Sequence, residues 1–441
     1  MNRHLLFATV VSALGSFLFG FDTAVISGTT RFITAFFSLT DTTLGITVSV
    51  ALWGTMLGSI VAGRPGDIWG RRAVLMVCGA VYLLSALGCA LAGSWAALLA
   101  FRFLGGIAIG ASSVMAPMYI AEISPARLRG RLVAVAQLNI VVGILVAFFS
   151  NYLLVGAGPD NWRWMFGVMA IPSAAFFGLL FVVPDSPRWL VRVNRAAEAR
   201  AVLAGVGAQD VDLELGDIVR SLGEEQHSAP LFQRKYAFAI RCALILPVFG
   251  ILSGINVIMY YAPMIFERAG ASTDAAMLQA VVIGITNLVF TVAAMFLIDR
   301  IGRRPLLMIG AAGMCLSMAG ASVPYFSEHL LGGGALVACV VAFVACFAFS
   351  MGAVIWVFLS EIFPNAVRAR GQALATFADW LVNALVGLIF PVALTAFGGG
   401  PVFLFFSLLE IPFFYFVLKV MPETKGKSLE ELEKTIVRAA P

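Results

Sequence analysis

Long apolar runs alternate with short polar turns along almost the whole chain. A helix needs roughly 20 residues to cross a hydrocarbon layer about 30 Å thick. Twelve runs meet this length, six on either side of a polar stretch in the middle of the chain. They lie at about 5–27, 44–64, 73–93, 95–118, 132–154, 163–183, 237–266, 276–298, 304–323, 334–359, 372–396 and 400–420. This pattern predicts an all-α membrane protein with twelve transmembrane helices.

The polar stretch divides the chain into two membrane halves. Residues 185–235 contain 15 of the 53 charged residues, so we expect a cytoplasmic, partly helical linker there. The expected domains are an N-terminal six-helix half at 1–184, a C-terminal six-helix half at 236–421 and a cytoplasmic tail at 422–441.

Composition supports a lipid bilayer as the solvent. The 441 residues are 61% hydrophobic and 12% charged, whereas a soluble protein carries about 25% charged residues. The net charge is +5, but the position of the basic residues along the chain matters more than this sum, and no nucleic acid partner is expected. With both termini in the cytoplasm, 25 of the 29 Lys and Arg residues fall on the cytoplasmic side. We therefore expect a multi-pass protein of the cytoplasmic (inner) membrane.

An internal repeat indicates two similar halves. Three cassettes recur in the same order at offsets of 232 to 239 positions. The pairs are Gly63–Arg72 with Asp299–Arg304, Ala121–Arg131 with Ser360–Gly371 and, more weakly, Pro184–Arg188 with Pro422–Lys427. Such parallel repeats are typical of some transporter folds.

A family resemblance rests on these cassettes and on two further motifs. The motifs are F-L-F-G-F-D-T-A-V-I-S-G at Phe17–Gly28 and S-G-I-N-V-I-M-Y-Y-A-P at Ser253–Pro263. The chain resembles the sugar porters of the major facilitator superfamily over essentially its whole length. It is most similar to the bacterial D-xylose and other sugar–proton symporters. The resemblance implies the major facilitator fold, alternating access and a monosaccharide substrate.

Polar side chains inside the apolar runs are candidates for a sugar site. Neutral amides suit vicinal hydroxyls, and a tryptophan face suits the apolar side of a sugar ring. Any one of them alone is equally explained by a helix–helix hydrogen bond worth about 0.6 kcal/mol. The candidates are Gln137, Asn256, Asn287, Trp356 and Asn383, to which the resemblance adds Phe19, Asp379 and Trp380.

The seventh run contains helix breakers around one of these candidates. Pro247, Gly250, Gly254 and Pro263 frame the segment that carries Asn256. A simple kink is one interpretation, and a discontinuous helix that exposes Asn256 to a central site is the other.

Three positions of the candidate site depart from the family pattern. Gly250 and Ile251 replace a usual pair of glutamines, which removes two polar contacts and is expected to leave room. Asp379 replaces an amide, and a carboxylate there either accepts from sugar hydroxyls or titrates. The particular sugar, pentose or hexose, therefore stays open.

Ionisable residues inside apolar runs cost at least about 2.5–3.5 kcal/mol each at the bilayer centre. They are Asp22, Arg102, Asp379 and Glu410, of which Glu410 is expected to face neighbouring helices or water. Asp22 and Arg102 can compensate each other as a static pair. The resemblance implies more, because an acid at the position of Asp22 accompanies proton coupling. Met169 stands where some symporters have a second acid.

Charged residues near helix ends suggest a cytoplasmic gate. Glu122 and Glu361 hold matching places in the two halves, where they can pair with the arginines of the basic loops. Ion pairs between the halves are expected to hold the inner side shut. The predicted gate residues are Arg71, Arg72, Glu122, Asp185, Arg303, Arg304 and Glu361.

The sequence shows no nucleophile–base pair, metal-ligand spacing or phosphate-binding loop, so neither an enzyme nor a cofactor is expected. The resulting hypothesis is a monomeric secondary active transporter that imports a monosaccharide with a proton. A proton-independent sugar facilitator is the alternative, and a sugar sensor on a transporter fold is a more remote one.

Overall fold

The structure is a computed structural model that describes residues 3–125, 128–208, 210–224, 230–326, 333–364 and 367–425. Within these ranges the regular secondary structure is entirely helical. Most of the predicted tail at 422–441 lies outside the described residues.

Eight helices precede the polar linker in the described part of the chain. They are α1 (Arg3–Phe37), α2 (Asp41–Val61), α3 (Gly63–Trp69), α4 (Arg71–Leu91), α5 (Trp95–Ile123), α6 (Arg129–Leu154), α7 (Asn161–Gly167) and α8 (Ala170–Leu179). Three short helices follow in the linker, α9 (Pro187–Arg192), α10 (Ala196–Val206) and α11 (Val211–Glu224).

A 3₁₀ turn at Arg234–Tyr236 leads into the second set of helices. They are α12 (Ala237–Leu252), α13 (Ile255–Arg268), α14 (Thr273–Ile301), α15 (Arg303–Phe326), α16 (Gly333–Phe349), α17 (Met351–Ile362), α18 (Arg368–Phe397) and α19 (Gly399–Lys419).

Eleven helical segments in the described ranges are long and apolar enough to cross a membrane. The run predicted at 163–183 is divided instead between α7 and α8. Pro172 has no N–H to donate to the carbonyl of Val168, and the N–H of Ile171 donates to that carbonyl at 3.2 Å. This tightened turn interrupts the regular α-helical pattern and explains why the sixth run is divided.

The seventh span is interrupted between α12 and α13. Gly254 has a φ of +94°, which favours glycine, and an added Cβ would lie 3.0 Å from the Phe406 ring. The hydroxyl of Ser253 donates to the carbonyl of Gly250 at 2.7 Å, which satisfies a backbone group that the break would otherwise leave free.

The chain forms two compact units by its internal contacts. The first contains the described residues of 1–25, 50–150 and 157–228, and the second those of 26–49, 151–156 and 229–441. The second unit therefore includes the end of α1 and the start of α2 as well as all helices after the linker.

Two consecutive residues at the end of α13 anchor these early segments within the second unit. Glu267 accepts from Arg31 at 3.0 Å. Arg268 lies 3.6 Å from the carboxylate of Asp41 and donates to Thr395 at 3.0 Å. The predicted outer ends of α1 and α2 are thus joined to α13 by two ion pairs of opposite polarity, and Arg268 connects α13 to α18 by a hydrogen bond.

Candidate functional site

In the first unit, Asp22 on α1 faces Arg102 on α5. Their side chains are 7% and 2% exposed, and Asp22 Oδ1 lies 3.5 Å from Arg102 Nη1. That distance compensates charge but is long for a hydrogen bond. Nε and Nη1 of Arg102 have no hydrogen-bond partner in the described part of the chain, and the guanidinium lies 5.7 Å from the centre of the Phe166 ring. The two charges therefore compensate each other, but no close hydrogen bond fixes one side chain to the other.

Phe19 and Gln137 belong to the same unit and lie where α1 crosses α6. An added Cβ at Gly20 would collide with the carbonyl oxygen of Ile140, so the two backbones approach closely there. Phe19 is half-buried and Gln137 is exposed in this structure. The crossing places both predicted sugar-contacting positions near the level of Asp22.

In the second unit, hydrogen bonds join α13 to α18. Asn383 is 1% exposed, and its Nδ2 donates to the Tyr260 hydroxyl oxygen at 3.0 Å. The hydroxyl of Tyr261 donates to the carbonyl of Gly387 at 2.7 Å. Asn383 thus contributes to helix packing, which makes it less available to a ligand than the sequence suggested.

Asn256 and Asp379 lie one turn before this connection on their respective helices. Both are half-buried, and neither has a hydrogen-bond partner among the described residues. Trp380, beside Asp379, is 8% exposed.

Asn287 and Trp356 complete the predicted set in the second unit. Asn287 on α14 is 8% exposed, and Trp356 on α17 is 42% exposed. Helix α14 contacts α13 and α17, while α18 contacts both α13 and α17. The helices that carry these polar residues are therefore neighbours.

The space expected at Gly250 is occupied. An added Cβ there would lie 2.8 Å from Cδ1 of Ile355 on α17. The methyl group fills the volume that a side chain at this position would need, so the expectation of extra room was wrong. This wall of the second unit is apolar.

Glu410 on α19 is 1% exposed, so it packs among helices and does not face water. Its Oε2 has no hydrogen-bond partner within the described ranges. One turn earlier, Ser407 donates to the carbonyl of Cys315 at 2.7 Å, which connects α19 to α15.

A cluster of charged residues lies at the predicted cytoplasmic ends of the first unit. Arg71 Nη2 lies 3.0 Å from Glu122 Oε1, and the hydroxyl of Ser186 also donates to Glu122. Arg72 lies 3.6 Å from Asp185. We call Arg71, Arg72, Glu122, Asp185 and Ser186 the first charged cluster.

The second unit contains an equivalent second charged cluster, formed by Arg303, Arg304, Glu361, Glu423 and Thr424. Arg303 donates to Glu361 at 2.8 Å, and Thr424 donates to the same carboxylate at 2.5 Å. Glu423 accepts from the backbone N–H groups of Arg303 and Arg304 at 3.1 and 3.0 Å.

The two clusters match in detail. In each cluster, the first arginine forms an ion pair with the glutamate at a helix end. A hydroxyl from the segment that follows the last helix of that half donates to the same carboxylate. In each, the second arginine donates to two consecutive backbone carbonyls, those of Leu180 and Phe181 in the first unit and Val417 and Leu418 in the second. The described ion pairs of each cluster lie inside one unit, so these pairs are not the expected ion pairs between the halves. The role of the clusters as a gate stays a prediction.

The gate prediction from sequence missed Glu423, although the weak P-E-T repeat of P-D-S had pointed to it. Burial acts to raise the pKa of the Glu423 carboxyl, but the backbone N–H groups of Lys425, Arg303 and Arg304 outweigh it. The pKa of Glu423 therefore lies below its usual value. An acid at the N-terminus of α15 also interacts favourably with the helix dipole.

A family model described as "Sugar (and other) transporter" matches residues 8–435. The chain belongs to this family. It is 35% identical to the D-xylose-proton symporter of Escherichia coli (strain K12), over 98% of this chain and 96% of that protein. It is 35% identical to the arabinose-proton symporter of Bacillus subtilis (strain 168), over 97% of this chain and 94% of that protein.

A solved structure, the partially occluded inward open conformation of the xylose transporter XylE from E. coli, has the same fold. Its TM-score is 0.87 at 34% identity, covering 97% of this chain and 100% of that chain. The prediction of a major facilitator sugar porter is confirmed, and family membership places the chain among transporters rather than enzymes.

Proposed function

We propose that this protein imports a monosaccharide together with a proton by alternating access. It works as a monomer in the cytoplasmic membrane, with both termini in the cytoplasm. The observation that carries the proposal is the buried pair of Asp22 and Arg102, whose nearest atoms are 3.5 Å apart. The relatives named above that carry D-xylose or arabinose with a proton support the choice of substrate class.

The chemistry of the pair suits proton coupling. A nearby arginine favours the ionised carboxylate, whereas a dry apolar environment disfavours it. A change in the distance to Arg102, or in access of water, therefore switches Asp22 between proton donor and acceptor. Met169 is buried and has no titratable group, so Asp22 carries most of the coupling.

The proposed sugar-contacting residues are Phe19, Gln137, Asn256, Asn287, Trp356, Asp379, Trp380 and Asn383. The amide and carboxylate groups match sugar hydroxyls, and the exposed face of Trp356 matches a sugar ring.

A proton-independent facilitator is the second candidate, and the same ion pair is the observation that favours it. If the pair is static, Asp22 only neutralises Arg102 and no proton moves with the sugar.

Replacing Asp22 by Asn separates the two candidates. We expect the variant to lose sugar-driven proton uptake and accumulation against a gradient, while counterflow exchange continues. Both are measured in membrane vesicles with and without an uncoupler. Asp274→Asn is the matched control, because Asp274 is an exposed acid in the first turn of α14. Concentrative uptake by the Asp22→Asn variant would show that the pair is structural.

A further inference from the structure

Helices α13 and α18 run in the same direction where they touch. Tyr260 is hydrogen-bonded to Asn383, and the next residue, Tyr261, donates to Gly387 and packs on the Phe390 ring with centroids 5.1 Å apart. Residue numbers therefore increase together on both helices.

One turn back on each helix are Asn256 and Asp379. Residues four apart share a helix face, so Asn256 lies under Tyr260 and Asp379 under Asn383. The two side chains are consequently at the same level, on the faces through which α13 and α18 meet. Neither has a hydrogen-bond partner in the described part of the chain. A ligand at this level meets an amide on one side and a carboxylate on the other.

Asp379 differs from Asp22 in forming no ion pair with a Lys or Arg among the described residues. Arg370 is nine residues earlier on α18, roughly 13 Å along the axis. Among the described residues of the elements packed against α18, the charged groups are Asp41 on α2, Arg241 on α12, Glu267 and Arg268 on α13, Glu361 on α17, and Glu410 and Lys419 on α19. Arg241 and Arg268 occupy the opposite ends of the seventh span and are not at this level. Lys419 is an exposed side chain at the end of α19, and no Lys or Arg of the described residues forms an ion pair with Asp379. The compensating positive charge is therefore left for a ligand to supply.

A carboxylate accepts hydrogen bonds and donates none, and its strongest partner is a charged donor. An alkylammonium group has three donors, which two carboxylate oxygens and the amide oxygen of Asn256 can receive together. A neutral hydroxyl offers a single donor and leaves the charge of the carboxylate uncompensated.

We infer that the sugar site admits aminodeoxy monosaccharides, and that Asp379 selects them by pairing with the ammonium group of the ligand. This inference rests on the proposed sugar transport and specifies its substrate class. The residue acts as a determinant of specificity at the level of Asn256.

The test compares each amino sugar with the neutral sugar that has a hydroxyl on the same carbon. Glucosamine and 6-amino-6-deoxyglucose are set against glucose, and galactosamine against galactose, as competitors of labelled monosaccharide uptake at about pH 6, where an alkylammonium group is charged. We expect at least one amino sugar to compete about tenfold better than its hydroxyl parent. Its uncharged N-acetyl derivative should lose that advantage.

Variants then identify the residue responsible. Asp379→Asn should remove the preference, Asp379→Glu should keep most of it, and the exposed control Asp274→Asn should leave it unchanged. The readout is a ratio of two competitors, so a general loss of transport does not imitate the effect. Where a variant carries too little sugar, protection of the purified protein against heat by each competitor gives the same ratio.

Two results would overturn the inference while leaving sugar transport intact. In one, neutral sugars compete but no amino sugar exceeds its parent. In the other, Asp379→Asn retains the preference. If neither neutral nor amino sugars compete or protect, the proposed function fails as well.

Discussion

At the residue scale, the local partners of each polar side chain determine what it is free to do. The side chain of Asn383 on α18 donates a hydrogen bond to the hydroxyl of Tyr260. Asn256 on α13, in contrast, has no hydrogen-bond partner among the described residues. A buried amide with a fixed partner stabilises packing, and one without a partner is available to a ligand. Asn256 is therefore the stronger candidate for direct sugar contact.

We expect Asn256→Ala or Gln137→Ala to weaken sugar binding by about 1–3 kcal/mol, because sugar hydroxyls lose a hydrogen-bonding partner in a desolvated site. The variants should still insert into the membrane. Competition binding on purified protein measures the effect.

Asn139→Ala is the control for Gln137→Ala. Asn139 is on the same helix, but its side chain donates to the carbonyl of Val135 at 2.9 Å within α6. If Asn256→Ala and Gln137→Ala both bind sugar as tightly as the parent protein does, the sugar site lies elsewhere.

At the element scale, the two charged clusters fix helix ends with the same set of interactions. Arg71 is 5% exposed, and its carboxylate partners are Asp67, four residues before it, and Glu122 at the end of α5. A buried cation that loses such a partner is costly, so each cluster stabilises one arrangement of its helices.

Neutralising Glu122 or Glu361 to Gln should favour the inward-open state. We expect an engineered thiol in the cytoplasmic cavity to be labelled about tenfold faster, which corresponds to about 1.4 kcal/mol. Glu198→Gln is the control, since Glu198 pairs with Arg195 on the exposed surface of the linker. Unchanged labelling together with normal transport would remove the gate hypothesis.

Sequence patterns predicted the helices well because apolar run length is nearly sufficient in a bilayer. They did not predict the division of the sixth run between Gly167 and Ala170, just before Pro172, because whether a proline interrupts a span depends on how neighbouring carbonyls are satisfied. Candidate site residues could be found from the sequence because polar and charged side chains are costly inside a lipid bilayer. Their partners could not, since the bond between Tyr260 and Asn383 and the methyl of Ile355 against Gly250 depend on tertiary packing.

At the scale of the whole molecule, alternating access requires that the outer side close when the inner side opens. The ion pairs of Glu267 with Arg31 and of Arg268 with Asp41 connect segments more than 200 positions apart in the sequence. An added Cβ at Gly45 would collide with the carbonyl of Leu388, so α2 and α18 are also in close backbone contact nearby. These contacts join the predicted outer ends of early and late helices, as an outer closure requires.

The ion pair of Arg31 with Glu267 can be tested by exchanging its two charges. Arg31→Glu or Glu267→Arg alone places like charges together, and we expect an engineered thiol in the outer cavity to be labelled about two- to fivefold faster, as for the loss of an exposed ion pair. The double variant restores attraction and should return labelling to the parent rate. Asp160→Lys is the control, because its pair with Arg163 lies within a single helix turn. Equal labelling in the single and double variants would show that these pairs do not contribute to closure, since only an interaction between the two residues is repaired by exchanging their charges.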